Sequence, residues 1–228
     1  MPTTEELRAF HAEQDRRLNT RTARRNNGIE WDDLKKMLAD TLPEQSPPLP
    51  FEMTPEGLRL ADFRKKCPPE FMARINRELL PNAAAFDALA GWNGKAPGIL
   101  AWGVTNTAKT RAAWSALGRL HVKEGKTFAW FTAKRLVDEL ERYESKHAGD
   151  EFWRYYSAFD VLFVDDADKI NWQFESQGAL LFQFYDWIYR AQRPCITTTN
   201  KTREWWANGL GDAFARRIFN DAHTAIQF

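Results

Sequence analysis

The chain has 228 residues and a mass of 26.5 kDa, enough for one α/β core with a small appendage and too little for two large domains. Its 43% hydrophobic and 28% charged residues are those of a soluble globular protein, and the formal net charge of +1 points to neither an acidic nor a basic partner. Two distant cysteines, Cys67 and Cys195, speak against a disulfide framework or a C-x-x-C zinc site and fit a reducing cytoplasm. Met1-Pro2-Thr3-Thr4-Glu5-Glu6 lacks the pattern of a signal peptide, and no apolar run is long enough to span a bilayer. His11, His121, His147 and His223 are scattered and suit surface or packing roles.

In chain order, residues 4 to about 25 carry a charged helical pattern whose Leu7, Phe10 and Leu18 are too sparse for a wide apolar stripe. Arg17, Arg21 and Arg24 share one face of it, either a solvated surface or a contact for nucleic acid or a partner. After Asn26-Asn27-Gly28, the apolar residues Trp31, Leu34, Met37, Leu38 and Leu42 recur at helical spacing. Pro43, Pro47, Pro48 and Pro50 then make a stiff linker near residues 43 to 52. The expected division is a helical extension over 1–50 and a main domain over 51–228.

From Thr54 to Trp92 the pattern is helical, broken at Cys67-Pro68-Pro69 and at Pro81. The stretch from Gly98 to Trp114 reads as strand, loop and helix, and its loop has the spacing G-x-x-x-x-G-K-[ST] of a phosphate-binding P-loop. Gly103, Val104, Thr105, Asn106, Thr107, Ala108, Lys109, Thr110 and Arg111 form it. In such a loop the backbone N–H groups cradle a phosphate at a helix N-terminus, the lysine reaches the β- and γ-phosphates of ATP, and the threonine ligates Mg²⁺. Ala108 stands where the second glycine belongs. If that position needs positive φ, a Cβ there costs of order 1 kcal/mol or more. The helix should run from Lys109 to about Val122 and bury Ala113, Ala116, Leu117 and Leu120.

A second strand, Thr127–Thr132, leads into a helix presenting Leu136, Val137, Leu140 and Tyr143, and the cluster Phe152-Trp153-Tyr155-Tyr156 belongs to the core. The third strand, Asp160 to Asp166, is four apolar residues running into two carboxylates, the form of a Walker B strand. A buried parallel strand delivers such acids to the carboxyl edge of its sheet, where Asp165 would hold Mg²⁺ and Asp166 would orient or deprotonate the attacking water. The fourth strand, Pro194 to Asn200, turns polar at its end; lying between the first and third, it would put Asn200 beside the γ-phosphate. A helix carrying Asp212 to Arg217 and a closing strand, Thr224–Phe228, complete the chain.

This order of parts resembles the DnaC/IstB-like group of AAA+ ATPases, over roughly residues 67 to 228. The resemblance implies a P-loop α/β fold with a parallel five-stranded sheet flanked by helices and no C-terminal lid domain. It makes Lys109 and Thr110 the Walker A pair, Asp165 and Asp166 the Walker B pair, Asn200 the γ-phosphate sensor and Arg217 an arginine finger for a neighbouring subunit. Ala108 in place of glycine and Asp166 in place of glutamate depart from the family pattern, which favours binding over hydrolysis. The expected function is that of an ATP-binding helicase loader acting with ATP and Mg²⁺ on a replicative DNA helicase, contacted through the N-terminal extension. Single-stranded DNA and self-association are further expected partners. The alternatives are an IstB-like transposition helper and a non-hydrolysing adaptor on the same fold.

Overall fold

The computed structural model describes residues 51–73, 76–170 and 175–228, so the extension and linker read in residues 1–50 lie outside the described residues. Among the described residues three α-helices precede the first strand: α1 (Pro55–Lys66), the single turn α2 (Pro69–Met72) and α3 (Ala83–Ala90). Thr54 caps α1 by accepting from the Gly57 amide, and Pro55 takes the first helical position, where no N–H is needed. Cys67 ends α1 because two prolines follow.

The remainder alternates strand and helix. It comprises β1 (Gly98–Trp102), α4 (Lys109–Val122), β2 (Phe128–Thr132), α5 (Ala133–Ser145), α6 (Gly149–Tyr156), β3 (Val161–Asp165) and α7 (Glu175–Arg190). After these come β4 (Cys195–Thr199), α8 (Arg203–Leu210), α9 (Asp212–Arg216), a π-helical turn (Arg217–Asp221) and β5 (His223–Gln227). All strand pairs are parallel, in the order β2-β3-β4-β1-β5. Each strand lies within a residue or so of where the sequence puts it. The sequence reading names no helix between β3 and β4, however. The structure has α7 there, burying Leu180, Leu181, Phe184, Tyr185 and Ile188 at helical spacing.

Because side chains alternate across a strand, the sheet feeds two cores. Leu162 and Val164 of β3 face α5, α6, α7, α8 and α9, whereas Val161 and Phe163 face α1, α3 and α4. Phe163 is fully buried, and truncating such a side chain to alanine costs about 3–5 kcal/mol. Cys67 and Cys195 are free and buried, one in each core, with burial pushing their thiols up to about 11 and about 12. Among the described residues no helix is long and apolar enough to cross a membrane.

The strand order fixes what comes next. With β4 inserted between β3 and β1, the carboxyl ends of these three strands stand side by side, at the point where chain connections diverge to opposite faces.

Candidate functional site

β1 feeds the chain into a loop that only particular backbone conformations can close. Gly103 has φ 138°, and a Cβ there would stand 2.4 Å from the Phe228 carbonyl oxygen, so glycine is required. Asn106 and Ala108 also have positive φ, 62° and 69°. Ala108 immediately precedes α4 in the left-handed region, so the position does call for glycine and its Cβ carries strain of about 1–2 kcal/mol. A run of such residues makes a concavity of converging N–H groups, here at the positive end of the 14-residue α4. The chemistry of that cradle suits an anion.

Lys109 is buried and lies across this loop. Its Nζ donates to Gly103 O at 3.0 Å, Val104 O at 2.6 Å and Thr107 Oγ1 at 3.2 Å. All three acceptors are neutral. Burial lowers the lysine pKa, opposed by the charges of Asp166, Asp168 and Asp165.

Beyond α4 stand the carboxylates. Asp165 Oδ1 accepts from Thr110 Oγ1 at 2.8 Å and from Thr198 Oγ1 at 2.6 Å, and burial pushes its carboxyl above the usual range in spite of those bonds. A divalent cation would remove that penalty. Thr110 and Asp165 offer the few protein oxygens that Mg²⁺ takes when phosphates and water fill its other positions. Asp166 has φ 52°, its amide donates to Thr198 Oγ1 at 2.9 Å, and its Oδ1 lies 3.5 Å from Asn200 Nδ2.

A cavity of about 510 Å³ is lined by the loop from Thr105 to Arg111 together with Phe71, Asp166, Lys169 and Asn200, with Asp165 and Thr198 outside the lining. Most of the sequence-predicted site residues are therefore brought together. Gly103 and Val104 form the loop's first turn outside the lining, Val104 being exposed. The Arg111 guanidinium donates to Glu70 O at 2.6 Å and Ala73 O at 3.1 Å. Arg217 is not at the cavity: it pairs with Asp186 Oδ1 and Asp221 Oδ2, each at 3.0 Å, with its guanidinium 4.1 Å from the Tyr189 ring centre. The neighbouring Arg216 is the exposed member of the pair.

Sequence reasoning missed Phe71, Lys169, Thr198 and Asp168. Thr198 and Asp168 carry a legible signal, a polar residue at the end of an otherwise apolar strand and an acid two positions past the Asp-Asp pair.

The model of the family described as IstB-like ATP binding protein matches residues 56–223. Among solved structures, the DnaC helicase loader is 18% identical with a TM-score of 0.52, over 63% of this chain and 85% of that one. DnaI is 17% identical with a TM-score of 0.54, over 71% and 94%. AMPPCP-bound DnaA from Aquifex aeolicus is 18% identical with a TM-score of 0.52, over 70% of this chain and 50% of its own. No curated protein sequence matches the chain significantly. At these identities the structures testify to the fold, a five-stranded parallel P-loop domain of AAA+ type.

Proposed function

We propose, because the chain belongs to the family of IstB-like ATP binding proteins, that it binds ATP with Mg²⁺, hydrolyses it slowly, and uses it to control assembly on a replicative DNA helicase and single-stranded DNA. The observation that carries this reading is the convergence of Lys109, Thr110, Asp166 and Asn200 on one cavity, with Asp165 directly behind Thr110.

In this reading the N–H groups of the loop hold the β-phosphate, and Lys109 leaves its carbonyl acceptors for phosphate oxygens. Thr110 and Asp165 hold Mg²⁺, which when bound neutralises charge on the β- and γ-phosphates. Asp166 orients the attacking water from a carboxylate one methylene shorter than glutamate's, which slows the step. Asn200 touches the γ-phosphate. Arg217 serves a neighbouring subunit only after release from Asp186 and Asp221. Support for the partner class comes from the likeness to the DnaC helicase loader, and the extension in residues 1–50 is the part proposed to meet the helicase. A non-hydrolysing adaptor is the second reading, favoured by the strained Ala108 and the short Asp166.

Titration with a fluorescent ATP analogue and a phosphate-release assay, with and without single-stranded DNA and a replicative helicase, test these readings. The wild type should bind, and Lys109→Ala should lose at least about a hundredfold in affinity, as expected for a charge-assisted phosphate contact. Equal affinity in the two proteins would sink the site assignment. Binding without phosphate release under any condition would select the adaptor, and stimulation by a transposase but not a helicase would select a transposition helper.

A further inference from the structure

Asp168 is 5% exposed, lies two residues past the acid pair, and is not among the residues that line the cavity. Its Oδ1 accepts from the Thr199 hydroxyl at 2.9 Å and from the Asn200 backbone amide at 2.8 Å. Thr199 Oγ1 accepts in turn from the Lys201 amide at 3.1 Å, so the turn after β4 is gathered around a single carboxylate oxygen. Hydrogen bonds to an ionised acceptor are about twice as strong as neutral ones.

The position of this carboxylate matters because the β3–β4 ladder stops at Val164 and Thr197. Past that point one backbone bond and several side chains hold the two chain segments together. Thr198 ties Asp165 and the Asp166 amide to β4, and the Ala167 amide donates to Thr198 O at 2.8 Å. Those bonds fix the acid loop. The Asn200 amide donates to Asp168, and the Asn200 carboxamide donates to Asp166 at 3.5 Å where both line the cavity.

We propose that Asp168 is the positioning residue through which the site tells a nucleoside triphosphate from a diphosphate, by holding the Asn200 carboxamide at the cavity wall beside Asp166. The proposal rests on the nucleotide-binding reading above. A diphosphate lacks the group that Asn200 would touch, so its affinity should not depend on this anchor, whereas that of a triphosphate should.

The test is calorimetric titration of the full chain with ADP and with a non-hydrolysable ATP analogue, both with Mg²⁺. Asp168→Ala should reduce the preference for the triphosphate by about tenfold, the loss of one good contact, while ADP affinity stays within about threefold. Asp168→Asn keeps an acceptor oxygen for both donors and should restore most of the preference. Asn200→Ala should lose the preference by itself, and adding Asp168→Ala to it should change nothing further. Should Asp168→Ala fail to fold, Thr199→Val removes one of the two donors and is expected to give about a threefold loss. The proposal is overturned if folded Asp168→Ala, or Thr199→Val in its place, discriminates as the wild type does, or loses both ligands equally. It is also overturned if the wild type binds both ligands alike. A wild type that binds neither ligand defeats the nucleotide reading itself, a result visible before any variant is made.

Discussion

Lys109 and Arg217 are both cations held inside the domain, in opposite surroundings. Lys109 rests on two carbonyls and a hydroxyl, acceptors that a phosphate outbids because it brings opposite charge. Arg217 is clamped between two carboxylates and laid on an aromatic ring, so a third anion finds its charge already neutralised. The first arrangement is a loaded spring for a ligand, the second a closed latch that ties the turn after α9 to α7. Of two residues that the motif order selects alike, one is ready to act and the other is occupied with holding the fold together.

The largest expected effect breaks the latch. Arg217→Ala removes the cation that Asp186 and Asp221 share and leaves them the exposed Arg190 and Arg216, and since the side chains of the three are 17–24% exposed the loss should fall below that of a fully buried pair, at about 2–3 kcal/mol. Urea denaturation measures it, and nucleotide affinity should stay within a few fold. A variant that loses affinity strongly and keeps its stability would reverse the assignment of the two cations.

Acid sharpens the contrast. His223 is buried, its Nδ1–H donating at 2.9 Å to the carbonyl oxygen of Ile218, the residue after Arg217, while Nε2 accepts from Thr197 Oγ1 at 3.1 Å. Burial holds its pKa down at about 4, so the folded state keeps it neutral while an unfolded chain, near 6.5, takes up a proton. This contribution is intact above about pH 6.5 and is lost as pH falls through 4, amounting to about 2 kcal/mol between pH 7 and pH 5. Denaturation curves at the two values should show that loss in the wild type and a flatter dependence in His223→Gln. Equal slopes would mean that the latch region does not carry the acid sensitivity.

The smallest effect lies at the spring. Ala108→Gly removes the left-handed strain of about 1–2 kcal/mol but gives back about 0.4–1 kcal/mol through a freer unfolded chain. A net gain of up to about 1.6 kcal/mol in stability is expected, with analogue affinity equal or tighter. No gain would show that the loop relaxes around the alanine.

Much of this was legible in the sequence because it is local. The apolar run before Gly103, the Lys109-Thr110 pair and the helix to Val122 lie on one continuous stretch, and Asp165-Asp166 closes an apolar strand whose only sensible end is the sheet edge. The strain at Ala108 is legible too, since the loop spacing puts that residue where positive φ is needed. What stayed hidden depends on strand order and on distance along the chain. Asp168 earns its meaning from Asn200, 32 residues later, and only because β4 lies against β3. Arg217 matches an arginine finger in motif order, and its pairing with Asp186 depends on α7, which carries no motif although its apolar residues keep helical spacing.

Thr197, Thr198 and Thr199 are fully buried in succession on β4, and each hydroxyl has a different client: Tyr185 and His223, then Asp165, then Asp168. A central strand wants β-branched side chains, which fill the pleat with little freedom to lose. The clients want a hydroxyl that can donate and accept at once. Valine would satisfy the pleat and strand the clients, and serine would serve the clients and loosen the pleat. Mutational tolerance along β4 should therefore be narrowest where hydropathy alone would call the strand improvable. In an alphabet of twenty side chains one letter meets both demands, and here it is written three times running.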